Sequence, residues 1–257
     1  MRRYIVTGGS SGLGAAIVSA LLEYPDTFVY VMDQRVAHRL RASLGLTLRQ
    51  RMHYHCCDLS SENAINNVAR DIIHPEAGTL RGIDCLINCA GICHIDYSTK
   101  VDASAWDHVM AINARAPFLL TNAILPALKF ASGTVLNISS DAAHRPMTAS
   151  AVYCASKAAL EMETKVMARE FWRLHQNITV FGIAPAKLAG TDMSKEVDRR
   201  VAEVRGWTEE GVQETHRSNV MMKKDIPLDT IAEFIAFILS LKERHQYFHG
   251  QIIPYGG

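Results

Sequence analysis

The feature that most constrains this chain is an alternation that runs from end to end. Short apolar runs recur, each followed by a stretch with helical spacing. Tyr4–Val6, Phe28–Met32, Tyr54–Cys57, Thr134–Ile138 and Ile178–Ile183 read as strands, and Gln251–Pro254 closes the series. Ile83–Ile87 is another, apolar except for Asp84. Leu13–Tyr24, Ile65–Ile73, Ala116–Lys129 and Val152–Leu174 read as helices. Uninterrupted apolar strands are covered on both faces, which helices between parallel strands provide. Right-handed crossovers then make the sheet doubly wound. The expectation is an α/β Rossmann fold: a parallel sheet of about seven strands with helices on both faces. No repeat, linker or low-complexity segment divides it, so residues 1–257 read as a single domain.

Two helical stretches, Ala116–Lys129 and Val152–Leu174, are apolar nearly all round and should be buried on more than one side. They either pack on the sheet alone or also meet a second subunit. The segment from about 187 to 224 differs. It is charged, carries Gly190, Gly206 and Gly211, and reads as short helices on a loop. So long an excursion is usually functional.

A net charge of +1 gives no bulk attraction to nucleic acid or membrane. The opening residues are too short an apolar run for a signal peptide, and no apolar run approaches the roughly 20 residues of a membrane helix. A cytoplasmic protein without nucleic-acid or membrane partners is expected. Cys85, Cys89 and Cys93 recur every four residues. They fall on a strand and a glycine-containing loop, where that spacing gives no shared face. Free thiols are the better reading than a metal site.

Thr7–Gly14 joins the first strand to the first helix and holds Gly8, Gly9, Gly12 and Gly14. Glycines there permit a tight turn and close approach of backbone to a pyrophosphate, at a helix N-terminus with unpaired N–H groups. Asp33 ends the second strand, where a carboxylate accepts from adenosine ribose hydroxyls and repels a 2′-phosphate. This favours NAD over NADP, against Arg35, whose guanidinium is able to pair with that phosphate. Asp58, after the third strand, suits the adenine amino group or the start of the helix near Ser60 and Ser61.

Tyr153 and Lys157 lie four apart, on one face of a helix. The ammonium stabilises phenolate, so the phenol works as an acid or base below its free pKa of about 10. A hydroxyl from another segment, Ser140, would hold a carbinol or carbonyl oxygen against it.

With these residues in order, the chain strongly resembles the short-chain dehydrogenase/reductase family along its whole length. The resemblance rests on Thr7–Gly14, Asp58, Asn88, Ala90, Gly91, Asn113, Ser140, Tyr153, Lys157 and Pro185. It implies Tyr153 as general acid/base, Ser140 positioning the substrate oxygen, and Lys157 lowering the tyrosine pKa while binding the nicotinamide ribose. Asn113 would complete a proton relay. Ser139 is the rival serine; the thirteen-residue spacing to Tyr153 selects Ser140. Contacts to the cofactor are implied for Gly8, Ser10, Ser11, Gly12, Leu13, Gly14, Asp33, Asp58, Leu59, Asn88, Ala90, Gly91, Tyr153, Lys157, Pro185 and Thr191. Cys89 departs from the family's second asparagine, and Ala186 from its glycine. Thr191 is the candidate for the carboxamide, although Asp192 leaves it a simple helix-entry role.

The implied activity is hydride transfer between NAD(H) and the carbinol or carbonyl carbon of a small hydroxy or keto compound. An NADPH-dependent 3-ketoacyl-type ketoreductase is the alternative. A non-catalytic nucleotide-sensing protein on the same scaffold is the second, disfavoured because both Tyr153 and Lys157 are present. His94, His144, Arg145 and Lys187 fall on segments expected to line the substrate pocket. Either they receive an anionic substrate or they face solvent and hold the loops. A homotetramer or homodimer joined through the two apolar helices is expected.

Overall fold

All seven expected strands form, and every pairing between them is parallel. The computed structural model describes residues 1–35, 40, 44–76, 78–218, 220, 222–241 and 246–256. The strands are β1 Arg2–Thr7, β2 Thr27–Asp33, β3 Met52–Cys56, β4 Cys85–Asn88, β5 Thr134–Ile138, β6 Thr179–Pro185 and β7 Ile252–Tyr255. Their order is β3-β2-β1-β4-β5-β6-β7. The chain therefore winds outward one way from β1, returns, and winds the other way from β4. Connections leave β1 and β4 in opposite directions and open a crevice at the carboxyl ends of the strands.

Side chains alternate across the sheet, and the continuous apolar runs feed both faces. Val6, Val31, Ile87, Leu136 and Phe181 join one cluster, with Ile17 and Leu21 of helix α1 (Gly12–Leu22). Ile231, Ile235 and Leu239, of the last described helix (Leu228–Ser240), pack there too. Their strand neighbours Ile5, Met32, Leu86, Val135 and Val180 point the other way. They meet Ile65 and Ile72 of Glu62–Ile73, Leu120, Leu128, and Met167 and Phe171 of the long helix Ala151–Arg173. Phe181 is fully buried.

Prolines decide where the expected helix Ala116–Lys129 departs from its reading. It forms as two helices, Ala116–Ala123 and Leu125–Ala131, continuing a run that begins with Ala103–Met110 and a π-helical turn Ala111–Arg115. Pro117 has no N–H for the carbonyl of Asn113, and Pro126 none for that of Asn122. The widened turn and the break at Ile124, where ψ is 7°, fall beside those missing donors. Neither this run nor Ala151–Arg173 is buried all round in the single chain. Phe118, Phe130, Met162, Val166 and Trp172 point outward, Trp172 with 76% of its surface exposed.

The excursion is a flap pinched at its base. Leu188 bridges Ile226, with Ala189 N–H donating to the Ile226 carbonyl at 2.8 Å and Ile226 N–H to that of Lys187 at 2.9 Å. Helices form there as expected among the described residues, Asp192–Arg205 and Glu209–Ser218, of 14 and 10 residues. Val201, Ala202 and Val212 pack on Ile95, from the loop after β4, and on Ala149, just before the helix that carries Tyr153.

Candidate active site

The glycine loop is shaped by close contacts that only a missing side chain permits. Gly8 has φ +68°, and a Cβ there would lie 2.8 Å from Ala90 Cα. A Cβ on Gly14 would lie 2.2 Å from the Gly8 carbonyl oxygen. Thr7 Oγ1 accepts from the N–H groups of Cys89 and Ala90, which locks the loop to the end of β4. Ser11 caps α1 in extended conformation with no side-chain hydrogen bond, so the first N–H groups of the helix face outward with the positive end of its dipole. Leu13 and Leu59 are buried beside this turn and the end of β3 respectively. An open helix terminus and a loop without side chains fit a pyrophosphate.

Asp33, at the end of β2, accepts from Ser10 N–H at 3.1 Å and Arg35 N–H at 3.0 Å, while Ser10 Oγ donates to the Arg35 carbonyl. The Arg35 side chain is exposed. Asp58 accepts from Ser60 N–H and Oγ and from Gln34 Nε2 at 2.8 Å; these bonds hold its carboxyl below the usual carboxylate range. The following helix is capped by Ser61 instead, whose Oγ accepts from Ala64 N–H. Asn88 is spent internally: it donates to Asn137, which donates to Thr164, all three buried.

Asn113 sits in the π-turn, completely buried. Its amide accepts from Ile92 N–H at 2.9 Å and donates to the Ile92 carbonyl and to Ser156 Oγ. A Cβ on Gly91 would lie 3.4 Å from both Asn113 Oδ1 and Lys157 Nζ, so the absent side chain keeps these two groups near each other. Lys157 Nζ donates to the Ile138 carbonyl at 2.9 Å and lies 5.8 Å from the centre of the Tyr153 ring. Burial holds Lys157 down to about 8. Burial likewise raises the Tyr153 phenol, with Cys93 adding to the rise, while a hydrogen bond from Ser140 lowers it. Ser140 Oγ accepts from Ala142 N–H and contacts Asp141 Oδ1 at 3.2 Å. The rival Ser139 is buried and donates to Glu161 at 2.7 Å.

Thr191 caps the helix Asp192–Arg205, its Oγ1 accepting from Ser194 N–H at 2.8 Å. It also lies against the glycine loop, since a Cβ on Gly12 would be 3.7 Å from Thr191 Cγ2. Pro185 ends β6 opposite Tyr255, and the next residue, Ala186, donates to the Tyr255 carbonyl at 3.0 Å.

The four basic candidates for the substrate pocket do not converge as free cations. His144 Nε2 lies 3.0 Å from Glu161 Oε1. Lys187 Nζ is gripped by both oxygens of buried Asp198, at 2.6 and 2.7 Å, with His216 Nδ1 at 3.2 Å. Arg145 is exposed, and its charge acts on Asp141. His94 is half-buried in the loop after β4. The group beside the reactive phenol that the sequence reading passed over is Asp141; Cys93, on a segment expected to line the pocket, stands there too, and both raise Tyr153 further. Burial pushes the Cys93 thiol up to about 12, so it is a neutral, apolar wall. The backbone there is strained: buried Ala149 has φ +65° and is held by Asp96 N–H donating to its carbonyl.

The chain is similar to known proteins throughout its length. The family model described as short chain dehydrogenase matches residues 2–202. A 2-(S)-hydroxypropyl-CoM dehydrogenase of Xanthobacter autotrophicus is 31% identical, over 75% of this chain and 73% of its own. The L-xylulose reductase of Bos taurus is 25% identical over 100% of this chain and 95% of its own. Among solved structures, NAD+-bound xylitol dehydrogenase superposes with a TM-score of 0.87 at 21% identity, covering 100% of this chain and 98% of the other.

Proposed function

The chain belongs to the short-chain dehydrogenase family, and from that membership we propose a complete reaction for its residues. It is an NAD(P)-dependent oxidoreductase that interconverts an alcohol and a carbonyl in a small hydroxy or keto compound. The observation that carries the reading is the convergence of Tyr153, Ser140 and Lys157 below the crevice, with Asn113 beside the lysine.

A nicotinamide dinucleotide, when bound, takes up or releases the hydride. The residues do the rest. Tyr153 takes the hydroxyl proton in oxidation and returns it in reduction. Lys157 offsets the phenolate charge and, through its ribose contact, ties the phenol to the cofactor. Ser140 holds the substrate oxygen against the phenol, and Asn113 would hold a water that links the lysine to solvent. The open N-terminus of α1, Ser10, Ser11 and Gly12 to Gly14 would hold the pyrophosphate; Asn88, Ala90 and Gly91 would border the ribose. Pro185 and Thr191 would border the carboxamide.

We assign NAD as the preferred carrier. Asp33 stands at the strand end, its two oxygens oriented by backbone N–H groups, and a 2′-phosphate there would face a fixed negative charge. Asp58 receives the adenine. For the substrate we favour a neutral polyol or ketose over an anion. Two of the four basic candidates are neutralised by Glu161 and Asp198, and Asp141 puts a carboxylate beside the phenol. A carboxylate repels an anion and accepts from hydroxyls. The L-xylulose reductase relative acts on a sugar of this kind by name.

The test is a rate comparison with NAD and NADP on pentitols and on hydroxy acids of similar size. Polyol turnover with NAD is expected to exceed the other combinations. Tyr153→Phe should lower turnover by at least about a hundredfold with NADH binding retained; full activity in that variant would remove the mechanism.

A further inference from the structure

Glu161 is a buried acid that the proton transfer does not use. It is 4% exposed, and it lies one helical turn beyond Lys157 on the same face. Its Oε1 accepts from Ser139 Oγ at 2.7 Å and faces His144 Nε2 at 3.0 Å. The His144 side chain is 48% exposed, so the pair reaches the surface. Three successive residues at the end of β5 are thereby each joined to the helix Ala151–Arg173. The Ile138 carbonyl accepts from Lys157, Ser139 donates to Glu161, and Ser140 is bonded to Tyr153. A buried carboxylate is costly unless it is paired and hydrogen-bonded. Keeping one here needs a return.

We propose that Glu161 is a positioning residue for the reaction: its bond to Ser139 sets the separation of Ser140 from Tyr153, and its carboxylate, one helical turn from Lys157, favours the buried ammonium. His144 closes the carboxylate off at the surface, in place of a contact with substrate. The proposal rests on the Tyr153–Lys157 chemistry above. The groups that act on Lys157 are the thiols of Cys89 and Cys93, the Glu161 carboxylate, and the Tyr153 ring beside it. Of these, Glu161 is the carboxylate, and it stands one helical turn from the lysine. On the far side of Glu161 stands His144.

The experiment follows alcohol oxidation by the holoenzyme from about pH 6 to about pH 10. Glu161→Gln keeps the shape and the acceptor for Ser139 but loses the charge. Lys157, already held down to about 8, then loses its proton earlier. The alkaline limb of kcat is expected to fall about one pH unit sooner, with NADH binding by fluorescence unchanged. Ser139→Ala keeps the charge and loses the staple, so kcat falls while the limb stays in place. An unmoved limb in Glu161→Gln, or an equal move in Ser139→Ala, overturns the proposal. Should Glu161→Gln fail to fold, the surface variant His144→Ala decides. A lower kcat at unchanged substrate KM supports the positioning role; a raised KM at unchanged kcat puts His144 on the substrate and defeats it. Tyr153→Phe run alongside separates the two readings. If it stays active, the mechanism itself fails; if it is dead while Glu161→Gln matches the native enzyme, the positioning role alone fails.

Discussion

Gly14 shows how much one hydrogen atom carries in this protein. Its missing Cβ leaves room for the Gly8 carbonyl, and no backbone atom tolerates a carbon at 2.2 Å. Gly14→Ala is therefore expected to push the loop off the end of β4. NADH affinity should fall at least about tenfold, a loss of about 1.4 kcal/mol, read by fluorescence titration, with a lower melting temperature. Gly12 has more room, with Thr191 as the nearest neighbour at 3.7 Å, and its need for glycine comes instead from its φ of +52°. The glycine spacing was legible because it is local. The company of Ser139 and His144 was not, because their shared partner Glu161 lies 22 residues from Ser139 in sequence. A signal existed: an acid four residues past Lys157 on a helix apolar nearly all round.

Among the elements, the flap after β6 departs furthest from its charged appearance. Val197, Val201 and Val204 recur at helical spacing and turn inward to Ile95 and Ala149, with Val212 from the second helix. The stripe was readable in the sequence, but its target, on loops roughly 100 and roughly 50 residues earlier, was not. The flap is also held by charge. Asp198 grips Lys187 at the base, and His216, from the helix Glu209–Ser218, meets both. Burial lowers His216 from its usual value, with the Lys187 charge adding to the effect, so its neutral ring is able to accept from the lysine. Asp198→Ala would strand a largely buried ammonium, at a cost of about 3–5 kcal/mol. The flap is expected to loosen: proteolysis between residues 187 and 226 should quicken and substrate KM rise, with NADH binding little changed. Unaltered proteolysis would show that the apolar contacts alone hold it. The π-turn is a second case of element-level legibility. Pro117 announces an irregularity, while the burial of Asn113 within it depends on Ile92 and Ser156 from elsewhere.

At the scale of the whole molecule, the outward side chains Phe118, Met162, Val166 and Trp172 leave apolar surface uncovered on the helices Ala116–Ala123 and Ala151–Arg173. We propose that a second copy covers them, as the homodimer or homotetramer expected from their pattern requires. Glu163, on the same face, lines a groove of about 860 Å³ with Asp107, His108, Arg115 and Phe118, and burial raises its carboxyl to about 7. Val166→Glu with Trp172→Glu is expected to give monomers by light scattering, where the native chain gives dimers or larger. Native monomers at micromolar concentration would remove the proposal.

What the sequence determined alone is what depends on neighbours in the chain. Strand and helix periods, the glycine loop, and the tyrosine and lysine one turn apart are short-range, because backbone sterics and side-chain direction act over a few residues. The parallel order of the strands followed from the same alternation through the handedness of crossovers. What only the tertiary structure decided is which charges meet. His144 and Lys187 look like free cations in the chain, and folding gives each a buried carboxylate, Glu161 and Asp198. Ion pairing in a low-dielectric interior depends on distance in space and on desolvation, and neither is written along the sequence.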